Sequence, residues 1–163
     1  DEDKFSKYQD ALASIRRDII STYYLLQSNY DQDDIWGKKF TCLSVSATDI
    51  PGQPDSVRAK IQYKDGQTQQ LKTSEEVVTA IYMYNYGATK NGIMYTVEVE
   101  DKPTVTFNDT LVFSDPSCDI IYAGQGKYEL WVNDDHIDNV PPCCKFMFTY
   151  FTGGENIYNV YNS

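Results

Sequence analysis

The spacing of apolar positions changes once along this chain. Phe5, Tyr8, Leu12, Ile15 and Ile19 recur at steps of three and four, the stripe of an amphipathic helix, with Ala11 and Asp18 on its borders. Thr22, Tyr23 and Tyr24 are poor helix formers, so the helix is expected within residues 1–21. Short runs of β-branched and aromatic residues then follow one another, separated by turn residues. The expected strands are 23–30, 40–48, 57–64, 69–73, 79–86, 94–100, 104–113, 119–123 and 128–133. Asp65-Gly66 and Gly124-Gln125-Gly126 read as hairpin turns. Ile81 to Tyr86 alternates with period two, which predicts a cross-strand ladder of Tyr82, Tyr84 and Tyr86 on one face.

Many short strands with one helix predict an antiparallel barrel or sandwich. At 163 residues the chain is read as one domain, 1–163, with a barrel over 22–133 and an irregular segment, 134–163, packed on it. A closed barrel of about eight strands holds one or two small ligands, so the inward-facing side chains matter most. Glu129 and Trp131 share one strand face, and Phe107 and Asp109 share another. Asn108 heads the sequon Asn108-Asp109-Thr110; a glycosylated Asn108 must face solvent, which turns Asp109 inward. An inward acid beside Trp or Tyr is costly unless a cation meets it, so a small organic cation is the first ligand to consider.

Composition narrows the partners. A formal net charge of −10 argues against nucleic acid. No apolar run approaches the about 20 residues needed to cross a bilayer, so no membrane partner is expected. Four cysteines fit two disulfides, and the start at Asp1 without Met or an apolar leader fits a mature secreted chain. His136 is the only histidine and lies in an acidic turn, without a Ser-His-Asp or Cys-His arrangement. The cysteines lack zinc-site spacing, and no glycine loop cradles phosphate. An enzyme, a metal site and a cofactor are therefore not expected.

Further spacing resembles a known family. Cys118-Asp119-Ile120, then eight residues, then Glu129-Leu130-Trp131, then eleven residues to Cys143 is similar to the signature of the tick salivary histamine-binding lipocalins. Asp18-Ile19, Tyr23-Tyr24, Tyr30, Asp33-Asp34-Ile35-Trp36-Gly37 and Phe40-Thr41-Cys42 follow that family's order, as do Glu76, the 83–86 segment, Phe107 and Asp109. The resemblance implies an eight-stranded lipocalin barrel behind one N-terminal helix, secreted and monomeric. It implies sequestration of histamine, with serotonin as a further candidate.

It also implies the residues. One amine site would use Tyr30, Asp33, Trp36, Tyr95, Phe107, Asp109, Glu129 and Trp131. A second, nearer the helix end, would use Asp18, Tyr23, Glu76 and Asp119. Taken singly, Asp33, Glu76 and Asp119 read as solvent-facing acids and the two tryptophans as core residues. The alternatives are a carrier of a fatty acid, eicosanoid or sterol, or an immunomodulator acting through a host protein. The former should lack so many acids.

The chain departs from the family at Ile93, where an aromatic is usual, which reshapes the site towards a bulkier amine such as serotonin. Between Gly87 and Pro103 it carries extra residues. The resemblance implies a Cys118–Cys144 bridge. The family's usual C-terminal partner for Cys42 is missing before Ser163, so Cys42–Cys143 is the expected second bridge, with swapped partners or a free thiol pair as alternatives.

Overall fold

In the computed structural model, residues 2–85, 88–97 and 103–161 are described. A 3-10 helix, Glu2–Tyr8, and a helix α1, Ala11–Arg17, precede β1, Tyr23–Ser28. A small hairpin follows, β2 Gln32–Asp33 and β3 Gly37–Lys38, then β4 Thr41–Asp49, β5 Ser56–Lys64 and β6 Leu71–Ile81. Next come β7 Gly92–Val97, β8 Val105–Ser114, β9 Cys118–Tyr122 and β10 Tyr128–Asn133. The chain ends with α2, Pro142–Thr152, and β11, Tyr158–Asn159.

Strands β10, β9, β8, β7, β6, β5, β4 and β1 are antiparallel neighbours in that order, and β1 pairs back onto β10. The result is a closed eight-stranded antiparallel barrel. Closure leaves no open edge among these strands. Side α1 packs against β4, β5 and β6, closing one end.

The expected N-terminal helix is broken in two. The Asp10 side chain accepts the Ala13 N–H at 3.0 Å, which caps α1 and interrupts the stripe. Gln9 is fully buried and donates to the Val112 carbonyl. The stripe is accordingly divided: Ala11 and Ile15 plug the barrel end with Val57, Ala80, Ile93 and Leu111, while Phe5 packs with the cluster under α2.

Two expected strands, 69–73 and 79–86, are one strand, β6. It pairs with β5 from Ser56–Thr79 to Lys64–Leu71, straight through the polar run Thr73-Ser74-Glu75-Glu76 that obscured the alternation. The turn before it needs Gly66, because a Cβ there would come within 2.2 Å of the Lys39 carbonyl oxygen. At its far end the Tyr ladder does not form. The Asn91 side chain accepts the Met83 N–H and the Asn91 N–H donates to the Ile81 carbonyl, which pulls the backbone out of the sheet. Tyr82 and Tyr84 are exposed, Tyr84 with φ +60°, and Tyr86 lies outside the described residues.

The segment expected to be irregular contains α2. Pro142 occupies its first turn and Gly153 ends it in the left-handed region. Its inner face, Cys144, Met147 and Phe148, packs on β9 and β10, and Cys144 forms a disulfide with Cys118. Cys42 and Cys143 are unpaired and exposed, so the expected Cys42–Cys143 bridge is corrected to two free thiols. Adjacent helical positions point about 100° apart, so Cys143 faces outward when Cys144 faces the barrel. Cys42 sits at the β4 irregularity, where its N–H donates to the Val160 carbonyl.

Candidate functional site

Inside the barrel lies a cavity of about 100 Å³ lined by inward positions of all eight barrel strands together with α1 and Trp36. The lining includes five carboxylates, Asp18, Glu76, Asp109, Asp119 and Glu129, and among the described residues no basic side chain. Its walls are Tyr23, Trp36, Tyr95, Trp131 and aliphatic side chains. Trp36 and Glu76 also border a wider polar recess outside the barrel, with Tyr63 and Thr96, and so stand at the mouth opposite α1.

At the mouth end the acids are held by aromatic donors. The Tyr30 hydroxyl donates to Glu129 Oε2 at 2.7 Å, and the Trp131 indole N–H donates to Oε1 at 3.2 Å. The Tyr95 hydroxyl donates to Asp109 Oδ2 at 2.9 Å, and the Tyr95 ring stacks on Phe107 with centroids 5.4 Å apart. Glu76 accepts from the Ser74 hydroxyl, while its other oxygen is buried without a partner among the described residues. Both Asp109 and Glu129 are 7% exposed.

Burial pushes the Asp109 carboxyl up to about 8; the charges of Glu129, Asp33 and Glu76 add to the rise, and the Tyr95 hydrogen bond opposes it. Burial likewise pushes Glu129 up to about 7 against the hydrogen bonds from Tyr30 and Trp131. Burial raises Glu76 too, and buried Tyr30 and Tyr95 hold their protons more tightly than ordinary tyrosines.

At the helix end Asp119 is already engaged. Asp119 accepts from Ser14 at 2.9 Å and from Ser114, and Arg17 Nη1 lies 3.6 Å from its Oδ1. Burial raises Asp119, opposed by those serines and by Arg17. Burial of its carboxyl is also the main cause that raises Asp18 well above the usual range, with Asp119 adding and Arg17 opposing. Tyr23, beside them, is pushed up to about 12, again chiefly by burial. Trp131 sits directly opposite Asp119 in the β9–β10 register while its indole turns to Glu129, so it divides the two acid clusters.

The structure brings together Trp36, Tyr95, Asp109, Glu129 and Trp131 of the first expected set on the cavity wall. Tyr30 and Phe107 stand behind that wall, holding Glu129 and Tyr95. Asp33 does not line the cavity. It accepts the Ile35 N–H at 2.6 Å to shape the turn carrying Trp36, and meets Lys127 at 3.4 Å. Of the second set, Asp18, Tyr23 and Asp119 gather at the helix end. Glu76 does not join them: its charge bears on Asp109 and Tyr95, towards the mouth. Asn108 is exposed and Asp109 buried on β8.

Reasoning from sequence missed Ser14, Arg17, Ser114 and Lys127. Ser14 carried a signal, since it lies one helical turn before Asp18 on the face that holds Ala11 and Ile15. Ser114 carried none, because a β-bulge between Leu111 and Phe113 sets its register against Asp119.

Comparison with known proteins points one way. Residues 1–163 match the family model described as "Tick histamine binding protein". The chain is 41% identical over 169 residues to the male-specific histamine-binding salivary protein of Rhipicephalus appendiculatus, across 98% of this chain and 82% of that one. It is 31% identical over 168 residues to female-specific histamine-binding protein 1 of the same tick, across 100% of this chain and 85% of the relative. The crystal structure of an AM182 serotonin complex shares the fold, with a TM-score of 0.61 and 23% identity over 88% of this chain and 83% of that one.

Proposed function

The chain belongs to the tick histamine-binding protein family, and on that footing we propose that it is a secreted monomer that sequesters histamine, with serotonin as a further ligand, inside its barrel. The observation that carries this reading is the lining itself: five carboxylates, aromatic walls and no basic side chain among the described residues. Buried anions without counter-ions are costly, and an organic cation removes that cost by pairing with them. An ammonium fits the Glu76 oxygen that is buried without a partner among the described residues, with the charge of Glu76 bearing on Asp109. A flat ring fits between Trp36, Tyr95 and Trp131, where cation–π and stacking contacts add about 0.5–2 kcal/mol each.

Histamine suits two acids best. A nearby carboxylate raises an imidazole pKa, so Glu129 and Asp109 would hold the ligand as a dication. The larger indole of serotonin reaches towards the mouth at Trp36 and Glu76. Charge-assisted contacts of about 1.5–3 kcal/mol each make submicromolar affinity, about −8 kcal/mol, attainable. Secretion is supported by the disulfide and by relatives described as salivary. An apolar lipid mediator would need an uncharged lumen, which this cavity does not provide.

Both tryptophans of the chain line the cavity, so intrinsic fluorescence reads the site directly. Titration with histamine and then serotonin should change the emission saturably at submicromolar to micromolar ligand. An unchanged emission with both amines, alongside saturable change with a fatty acid, would reject the proposal.

A further inference from the structure

We infer that Arg17 supplies the cation for the acid pair at the helix end, Asp18 and Asp119, so that the barrel captures one amine, at the Asp109–Glu129 end. This inference rests on the amine reading of the cavity and asks how many ligands it takes and where.

The two acid clusters differ in what they already hold. Arg17 Nη1 lies 3.6 Å from Asp119 Oδ1 and donates to Ser114 Oγ at 2.8 Å and to the Asp115 carbonyl at 3.2 Å. Ser14 covers the other Asp119 oxygen. Both oxygens of this acid therefore have partners before any ligand arrives. Asp119 is 6% exposed in its side chain and Arg17 29%, so the guanidinium reaches the acid from the outer, helix side.

Among the described residues no cation pairs with the mouth acids Glu76, Asp109 and Glu129 within ion-pair distance. Lys127, the base that bears on Glu129, is turned onto Asp33 at 3.4 Å and over the Tyr30 ring at 5.2 Å. One oxygen of Glu76 is buried without a partner among the described residues.

The local sequence fixes this asymmetry. Arg17 ends α1, where a cation is favoured by the helix C-terminus, and Asp18 is the adjoining cap. A guanidinium does not lose its proton in a protein and holds several acceptors at once, so an ammonium of ordinary affinity does not displace it. Burial and the charge of Asp119 raise the Asp18 carboxyl well above the usual range, and Arg17 opposes that rise. Glu76, Asp109 and Glu129 have no basic neighbour on the cavity wall among the described residues. An incoming amine is therefore drawn to the mouth cluster.

Calorimetric titration of the full chain with histamine tests this, using wild type, Arg17→Met and Arg17→Lys, each checked for folding by thermal melting. Wild type and Arg17→Lys should bind one histamine per chain. Arg17→Met should show a second, weaker binding event, with the first affinity kept within a few-fold. Two histamines per wild-type chain would overturn the inference and leave the amine reading standing. One site in a folded Arg17→Met would also overturn it, and the wild-type stoichiometry decides the matter should that variant not fold. No binding by any of the three would overturn the amine reading and the inference with it.

Discussion

Tyr30 reaches across the barrel wall to Glu129, 99 residues away, and donates its hydroxyl hydrogen to Oε2 at 2.7 Å. The bond fixes the carboxylate against Trp131 and opposes the rise in its pKa that burial causes. Tyr30 thereby keeps Glu129 able to ionise near neutral pH. Removing the hydroxyl should weaken capture without disturbing the ring's packing against Phe40.

Tyr30→Phe should accordingly bind histamine about 10-fold more weakly, near 1.5 kcal/mol, the value of one charge-assisted hydrogen bond. Its affinity should reach its plateau at higher pH than wild type, because Glu129 has lost a bond that favours its charged form. Fluorescence titration from pH 5 to pH 9 measures both effects. An unchanged profile would mean that the hydroxyl only packs.

Amine binding should tighten as pH rises. Asp109 is held up to about 8 and Glu129 to about 7, so both carry much of their proton in the empty site at neutral pH. A bound cation favours the ionised forms and drives those protons off. With serotonin, whose primary ammonium does not titrate in this range, the dissociation constant should fall from pH 5.5 to pH 8. The heat of binding at pH 7 should also change with the buffer's ionisation enthalpy. Equal heats in phosphate and Tris would show that no proton leaves.

Stability of the empty barrel should run the other way. A carboxyl raised in the folded state binds more protons than its unfolded counterpart between about pH 4 and the folded value of about 8. Stability therefore falls as pH rises through that window. Asp109→Asn removes the cost of the buried charge and should stabilise the empty protein at pH 8 by a few kcal/mol, while weakening histamine binding at least 100-fold. Thermal melts at pH 5 and pH 8 check the sign: the variant should gain on wild type only at the higher pH.

The cysteines divide into a buried bridge and two surface thiols. Two thiols per native chain should react with a chromogenic disulfide reagent, and peptide mapping should recover Cys118 joined to Cys144. Breaking that bridge, which spans 26 residues, should cost about 2–4 kcal/mol and loosen α2 from β9 and β10. Cys42→Ser and Cys143→Ser should leave the melt within about a degree of wild type.

Much of this architecture was legible in the chain. Alternation gave most of the strand positions, and Asp65-Gly66 and Gly124-Gln125-Gly126 marked real turns between β5 and β6 and between β9 and β10. The face shared by Glu129 and Trp131 is the cavity face. What escaped depends on contacts distant in sequence. Strand β6 is held across Thr73 to Glu76 by its partner β5, which local pattern does not show. Helix α2 hid because Cys, Phe, Thr and Tyr are weak helix formers, although Pro142, Gly153 and the spacing of Cys144, Met147, Phe148 and Phe151 announce it. Nothing in the local sequence singles out Arg17; only the fold brings Asp119 and Ser114, about 100 residues away, against it.

The central claim is that an organic amine is held by Asp109 and Glu129. Calorimetric titration of histamine into wild type and into the double variant Asp109→Asn/Glu129→Gln at pH 7.4 tests it most directly. Wild type should bind with submicromolar affinity, and the folded double variant should lose at least 100-fold. Equal affinity in the two proteins, or no heat with the wild type, would contradict it.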